Sequence, residues 1–141
     1  MEEENRLPGA KQSPRIDKNN VIKWYYGDTF EIHWHLVLSQ NESIISYAPE
    51  DQVIFSFYEA GTRKLIQRFV CKNIDTETNM MILQFDKATS LKFKPGRYTF
   101  DVKYINFSIE NDGNGNEYKT SDTQDITTVG AKYLVEVERC Q

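Results

Sequence analysis

Thr29-Phe30-Glu31-Ile32-His33-Trp34-His35-Leu36-Val37-Leu38 opens directly behind Gly27-Asp28 and alternates almost residue by residue. Phe30, Ile32, Trp34, Leu36 and Leu38 fall on one face, while Glu31, His33 and His35 fall on the other. That period of two is the pattern of a half-buried strand, and it places Trp34 in the core. A second stretch repeats it: Pro95-Gly96 introduces a run in which Tyr98, Phe100, Val102 and Tyr104 share a face.

Working outward, Val21 to Tyr26 reads as a short aromatic strand stopped by Gly27-Asp28. Alternation resumes at Val53, Phe55 and Phe57, after a polar connection from Ser39 to Asp51 in which Pro49 cannot donate to a ladder. Glu59-Ala60-Gly61-Thr62 reads as a tight turn, with Gly61 supplying a positive φ, into a strand from Leu65 to Cys71. Met81, Leu83 and Phe85 mark a further strand, Asp86 to Lys94 a corner between sheets, and Ser108 to Asp122 a long polar loop. The last strand carries Ala131, Tyr133, Val135 and Val137 on one face. No helical stripe is sustained, so the expectation is all-β: an immunoglobulin-like antiparallel β-sandwich of about seven strands, with a jelly roll or small barrel as the alternative. Tyr98 stands where such sandwiches place a tyrosine whose hydroxyl bonds back across a corner.

The 141 residues suit one domain. Residues 1–19 are polar and read as a flexible arm, leaving 20–141 as the single folded unit. With 17 basic and 21 acidic residues the net charge is −4, which disfavours nucleic acid and anionic membranes as partners. No apolar run approaches the roughly 18 residues of a spanning helix, and the acidic start Met1-Glu2-Glu3-Glu4 is unlike a secretory leader; a cytoplasmic site of synthesis is expected. Cys71 and Cys140 show no metal or disulfide spacing and read as free thiols.

Glu31, His33 and His35 are the sharpest chemical constellation, because i, i+2 and i+4 on a strand point the same way and imidazole with carboxylate can hold zinc. An exposed polar strand face is the better account of them, and no metal or cofactor is expected. Asn111-Asp112-Gly113-Asn114-Gly115-Asn116-Glu117 resembles a calcium loop only superficially, since Glu117 replaces the turn glycine and Thr123 the bidentate glutamate. Nucleophile elbows, phosphate-cradling loops and dinucleotide fingerprints are missing, so no catalytic residue is assigned. Asp28, Asp51, Asp75 and Asp101 border or interrupt strands, where capping or solvation is the usual role. The trio Trp24, Tyr25 and Tyr26 is the candidate contact for a sugar or a protein partner.

Gly27-Asp28-Thr29-Phe30, Tyr47-Ala48-Pro49-Glu50-Asp51-Gln52-Val53-Ile54-Phe55, Leu65-Ile66, Asp86-Lys87-Ala88-Thr89-Ser90-Leu91 and Pro95 to Val102 follow one another in an order that resembles the N-terminal domain of phage upper-baseplate proteins. The resemblance covers about residues 21–138 and lies in order and spacing rather than in any one motif. It implies a structural, non-enzymatic docking module of a phage or prophage tail, located in the virion, with tail or baseplate proteins as partners. Homo-oligomers are expected only within such an assembly. The competing expectations are a carbohydrate-binding module of a bacterial surface protein, using Trp24 to Tyr26, and a small metal-dependent enzyme using Glu31, His33 and His35. Open sandwiches have edge strands that a partner can cover, and the strand from Val21 to Tyr26 is the expected docking edge.

Overall fold

The computed structural model describes residues 13–36, 38–40, 43–45, 47, 50–72, 74–75, 77–107, 110–111, 113–118 and 124–139. Six strands form the larger sheet: β1 (Arg15–Ile16), β2 (Ile22–Tyr25), β6 (Gln52–Glu59), β7 (Leu65–Lys72), β9 (Gly96–Phe107) and β12 (Gln124–Glu138). Their spatial order is β1-β2-β12-β9-β6-β7. All neighbours are antiparallel except β12, which runs parallel to β2. A smaller sheet pairs β3 (Phe30–His35) with β8 (Met80–Phe85), and two further hairpins join β4 (Leu38–Gln40) to β5 (Ser43–Ile45) and β10 (Glu110–Asn111) to β11 (Glu117–Tyr118). The fold is all-β and sandwich-like, with open sheets. The described residues form twelve strands rather than about seven because short pairings subdivide the loops.

Alternation decides which face each strand buries. In β3, Phe30, Ile32 and Trp34 turn inward and Glu31, His33 and His35 outward; in β8, Met81, Leu83 and Phe85 turn inward. They meet Ile22 and Trp24, Val53, Phe55 and Phe57, Tyr98, Phe100 and Val102, and Val135 and Val137 from the larger sheet. The core is largely aromatic. Trp34 lies partly buried with its ring edge-on to Phe55, Phe100 and Tyr133 at 5.2–5.7 Å, so one side chain of β3 touches three strands of the opposite sheet. Trp24 makes the same crossing in the other direction, contacting Phe30, Phe85 and Phe93 at 5.0–5.6 Å. Aromatic pairs at such separations add about 0.5–1.5 kcal/mol each beyond the area they bury.

The corner from Asp86 to Lys94 contains a single helical turn, α1 (Lys87–Ser90). Asp86 caps it by accepting from the Thr89 amide at 2.8 Å. Its last residue, the buried Ser90, donates its hydroxyl to the Asp28 carbonyl, and Lys87 Nζ donates to the Gly27 carbonyl at 3.2 Å. Gly27 has φ +85°, a conformation that L side chains rarely adopt, which explains a glycine at this turn between the sheets. Just beyond, the Tyr98 hydroxyl donates to the Lys94 carbonyl at 2.6 Å, closing the corner as expected.

Three expectations are corrected. Residues 13–19 are not all part of a free arm: Arg15 and Ile16 pair with Lys23 and Ile22 as β1, the Ser13 hydroxyl accepts from the Tyr25 amide at 3.1 Å, and residues 1–12 lie outside the described residues. The strand from Val21 to Tyr26 is therefore no edge, because β1 and β12 flank it. In the β6–β7 turn the positive φ falls on Arg63, at 62°, and not on Gly61, because the chain closes through Arg63 N–H to the Glu59 carbonyl and Glu59 N–H to the Lys64 carbonyl.

Candidate functional site

Glu31, His33 and His35 are brought to one exposed face of the smaller sheet by the alternation of β3, beside Ile82 and Gln84 of β8. They do not converge. His33 Nε2 lies 3.8 Å from Glu31 Oε2 with both side chains about half exposed, whereas the His35 ring turns away so that Nδ1 sits 3.0 Å from the Thr78 carbonyl. Among the described residues no three His, Cys, Asp or Glu side chains are placed to hold a metal ion. The glycine-rich stretch forms the β10–β11 hairpin, with Gly113 and Gly115 at positive φ in its turn; Asp112 lies outside the described residues.

Of the aromatic trio, Trp24 is withdrawn from the surface and Tyr25 and Tyr26 are half-buried. Trp24 is 0 % exposed, since β2 is an inner strand whose even-numbered side chains face the core. Tyr25 takes the outer face, but Arg15 lies over its ring at 5.1 Å and forms an ion pair with Glu138, so its own chain occupies that surface. Tyr26 packs against the core cluster. Trp24 is therefore closed to a sugar or a partner, whereas Tyr25 and Tyr26 stay partly exposed.

Two carboxylates behave unlike solvated turn residues. Asp51 is buried and accepts the Tyr104 hydroxyl at 2.5 Å, while Tyr47 stands edge-on to Tyr104 and donates to the Leu36 carbonyl at 2.7 Å. Burial, with the Asp51 charge in second place, pushes the Tyr47 phenol up to about 12; burial and the Asp51 hydrogen bond hold Tyr104 higher still. These protons stay in place at neutral pH, so the cluster ties the loop before β6 to the sheet. Asp101, on the outer face between Ser56 and Thr99, has a buried Oδ1 without a hydrogen-bond partner.

A cleft of about 460 Å³ opens on the outer face where the β1–β2 turn meets β9 and β12. Lys23 bridges its two acids, Asp17 at 3.3 Å and Glu136 at 3.8 Å. Among the described residues no His, Cys or Ser lines it.

The sheet edges differ most. At one end stands β1, two residues long and pinned by the Arg15–Glu138 ion pair. At the other, β7 runs eight residues, and no described strand pairs with its outward side. Arg63, Lys64, Arg68 and Lys72 lie on β7 or in the turn leading to it, and residues 60–74 contain no Asp or Glu. None of the four forms an ion pair among the described residues; Arg68 Nε donates only to Ser56 Oγ, at 3.3 Å. Lys92 adds a fifth cation, donating to Gln67 Oε1 at 2.9 Å. Leu65 and Val70 are exposed among these charges. Sequence reasoning placed this strand but not its position at the edge; the run of cations without an acid was the available signal.

Against known proteins, the chain matches no family model, no curated protein and no solved structure significantly.

Proposed function

We propose that this chain is a non-enzymatic docking module of a phage or prophage tail or baseplate, built as an immunoglobulin-like sandwich. The observation that carries the docking role is the asymmetry of the larger sheet: one edge is blunted by β1, and the other, β7, is long, cationic and open among the described residues. An open edge is a template for another strand, and its cations both discourage pairing with like-charged or apolar strands and favour a partner of opposite charge. The immunoglobulin-like topology is supported by the Tyr98 corner, while the parallel pairing of the last strand with β2 departs from the antiparallel sandwich expected. The assignment to a tail is supported by the ordered motifs from Gly27 to Val102, whose described residues fall on or next to β3, β6, β7, α1 and β9.

Co-expression with the tail and baseplate proteins encoded beside this gene, followed by size-exclusion chromatography with light scattering, tests the assignment. A stoichiometric complex with one of them is expected. Elution of the chain alone from every such mixture, together with its absence from purified virions by mass spectrometry, overturns it.

A further inference from the structure

We propose, building on the docking role above, that β7 is a strand-addition site whose ligand is an extended acidic segment of a partner protein. In an antiparallel ladder each strand turns alternate amide and carbonyl groups to either side, so β7, paired among the described residues with β6 alone, carries a row of outward hydrogen-bonding groups over about 26 Å at ~3.3 Å per residue. A strand laid against them sets one side chain opposite each of its own on the same face.

The facing side chains define the ligand. On the outer face these are Arg68, Val70 and Lys72, with Val70 46 % exposed; on the inner face they are the half-buried Phe69 and Cys71. Carboxylates four residues apart answer Arg68 and Lys72, and an apolar residue between them answers Val70. Apolar residues at the two remaining positions extend the core past Phe69, which already contacts Phe57 and Phe85 at 5.7 and 5.0 Å. The recognised pattern is acidic, three apolar, acidic. A second copy of β7 is the wrong occupant, because it brings one cationic edge against another in every register.

The probe is a fluorescein-labelled peptide, Ser-Glu-Val-Val-Val-Glu-Ser, titrated with the full chain at low salt and followed by anisotropy. Saturable binding is expected, weakened at least about tenfold by alternate N-methylation of the peptide, which removes its ladder donors, and by a similar factor when lysine replaces both glutamates. The Arg68→Glu/Lys72→Glu double variant, both positions being exposed, is expected to keep its far-ultraviolet spectrum and lose binding to the same extent. No saturable binding, or equal binding of the N-methylated peptide by the wild-type chain, overturns strand addition; tighter binding of an oligothymidylate than of the peptide assigns the edge to nucleic acid instead. Failure here is separable from failure of the docking role. A tail-protein complex in which hydrogen exchange at residues 65–72 is unchanged removes this site and leaves the docking role standing, whereas peptide binding without any tail-protein complex does the reverse.

Discussion

Trp24 and the Tyr47–Tyr104–Asp51 cluster show how single residues hold this molecule. Trp24 is fully buried among Phe30, Phe85 and Phe93, yet among the described residues its Nε1–H has no hydrogen-bond partner. Its contribution is therefore apolar contact alone. Trp24→Ala is expected to lower stability by about 3–5 kcal/mol and Trp24→Phe by roughly 1–2 kcal/mol, because the smaller ring also removes an orphaned donor. Urea denaturation of the two variants measures the difference, and equal losses would mean that Nε1 is satisfied in solution. The tyrosines set an alkaline limit. A phenol whose folded pKa lies above its unfolded value keeps its proton when the unfolded chain has lost it. Stability is then complete below the unfolded value and falls as pH rises toward the folded one. For Tyr47 that window runs from about 10 to about 12. Cys71, pushed up to about 11 by burial, begins to contribute from about 9. Melting temperatures are expected to decline through this range, and Tyr47→Phe is expected to flatten the decline.

At the scale of elements, the corner and the edges carry distinct expectations. The Tyr98 hydroxyl ties β9 to the segment following α1 through the Lys94 carbonyl. Removing it in Tyr98→Phe deletes a part-buried hydrogen bond across the corner and is expected to lower stability by about 0.5–1.5 kcal/mol, read from the same denaturant titrations. Hydrogen exchange is expected to be slowest in β6 and β9, which are paired on both sides, and to be fast at about half of the β7 amides. Uniformly slow exchange along β7 would mean that its outward side is already covered in the isolated chain.

Over the whole molecule, the two tryptophans reach across from opposite sheets into one aromatic core, so neither sheet retains a hydrophobic face without the other. Unfolding is therefore expected to be two-state, with tryptophan fluorescence and far-ultraviolet circular dichroism giving coincident transitions in urea. Two separated transitions would show that the sheets hold independent cores. Among the described residues no helix is long and apolar enough to cross a membrane. The charge distribution matters more for partners than the net value: a chain at −4 places its longest acid-free stretch, residues 60–74, on β7 and the turns that flank it.

Period-two alternation determined the strand class of this chain, the inward faces of β3, β8 and β9, and the corner at Tyr98, because each depends only on neighbours along the chain. It could not determine which strand becomes an edge. β2 has the shortness of an edge strand, but the parallel pairing with β12, more than a hundred positions away, and the capture of Arg15–Ile16 put it inside the sheet and bury Trp24. The same long-range pairing leaves β7 at the far side and turns an ordinary amphipathic strand into the open cationic edge. Glu31, His33 and His35 share a face as their spacing requires, yet the contact of His35 with the Thr78 carbonyl separates them. Local sequence sets the side to which a residue points; only the tertiary pairing sets what it meets there.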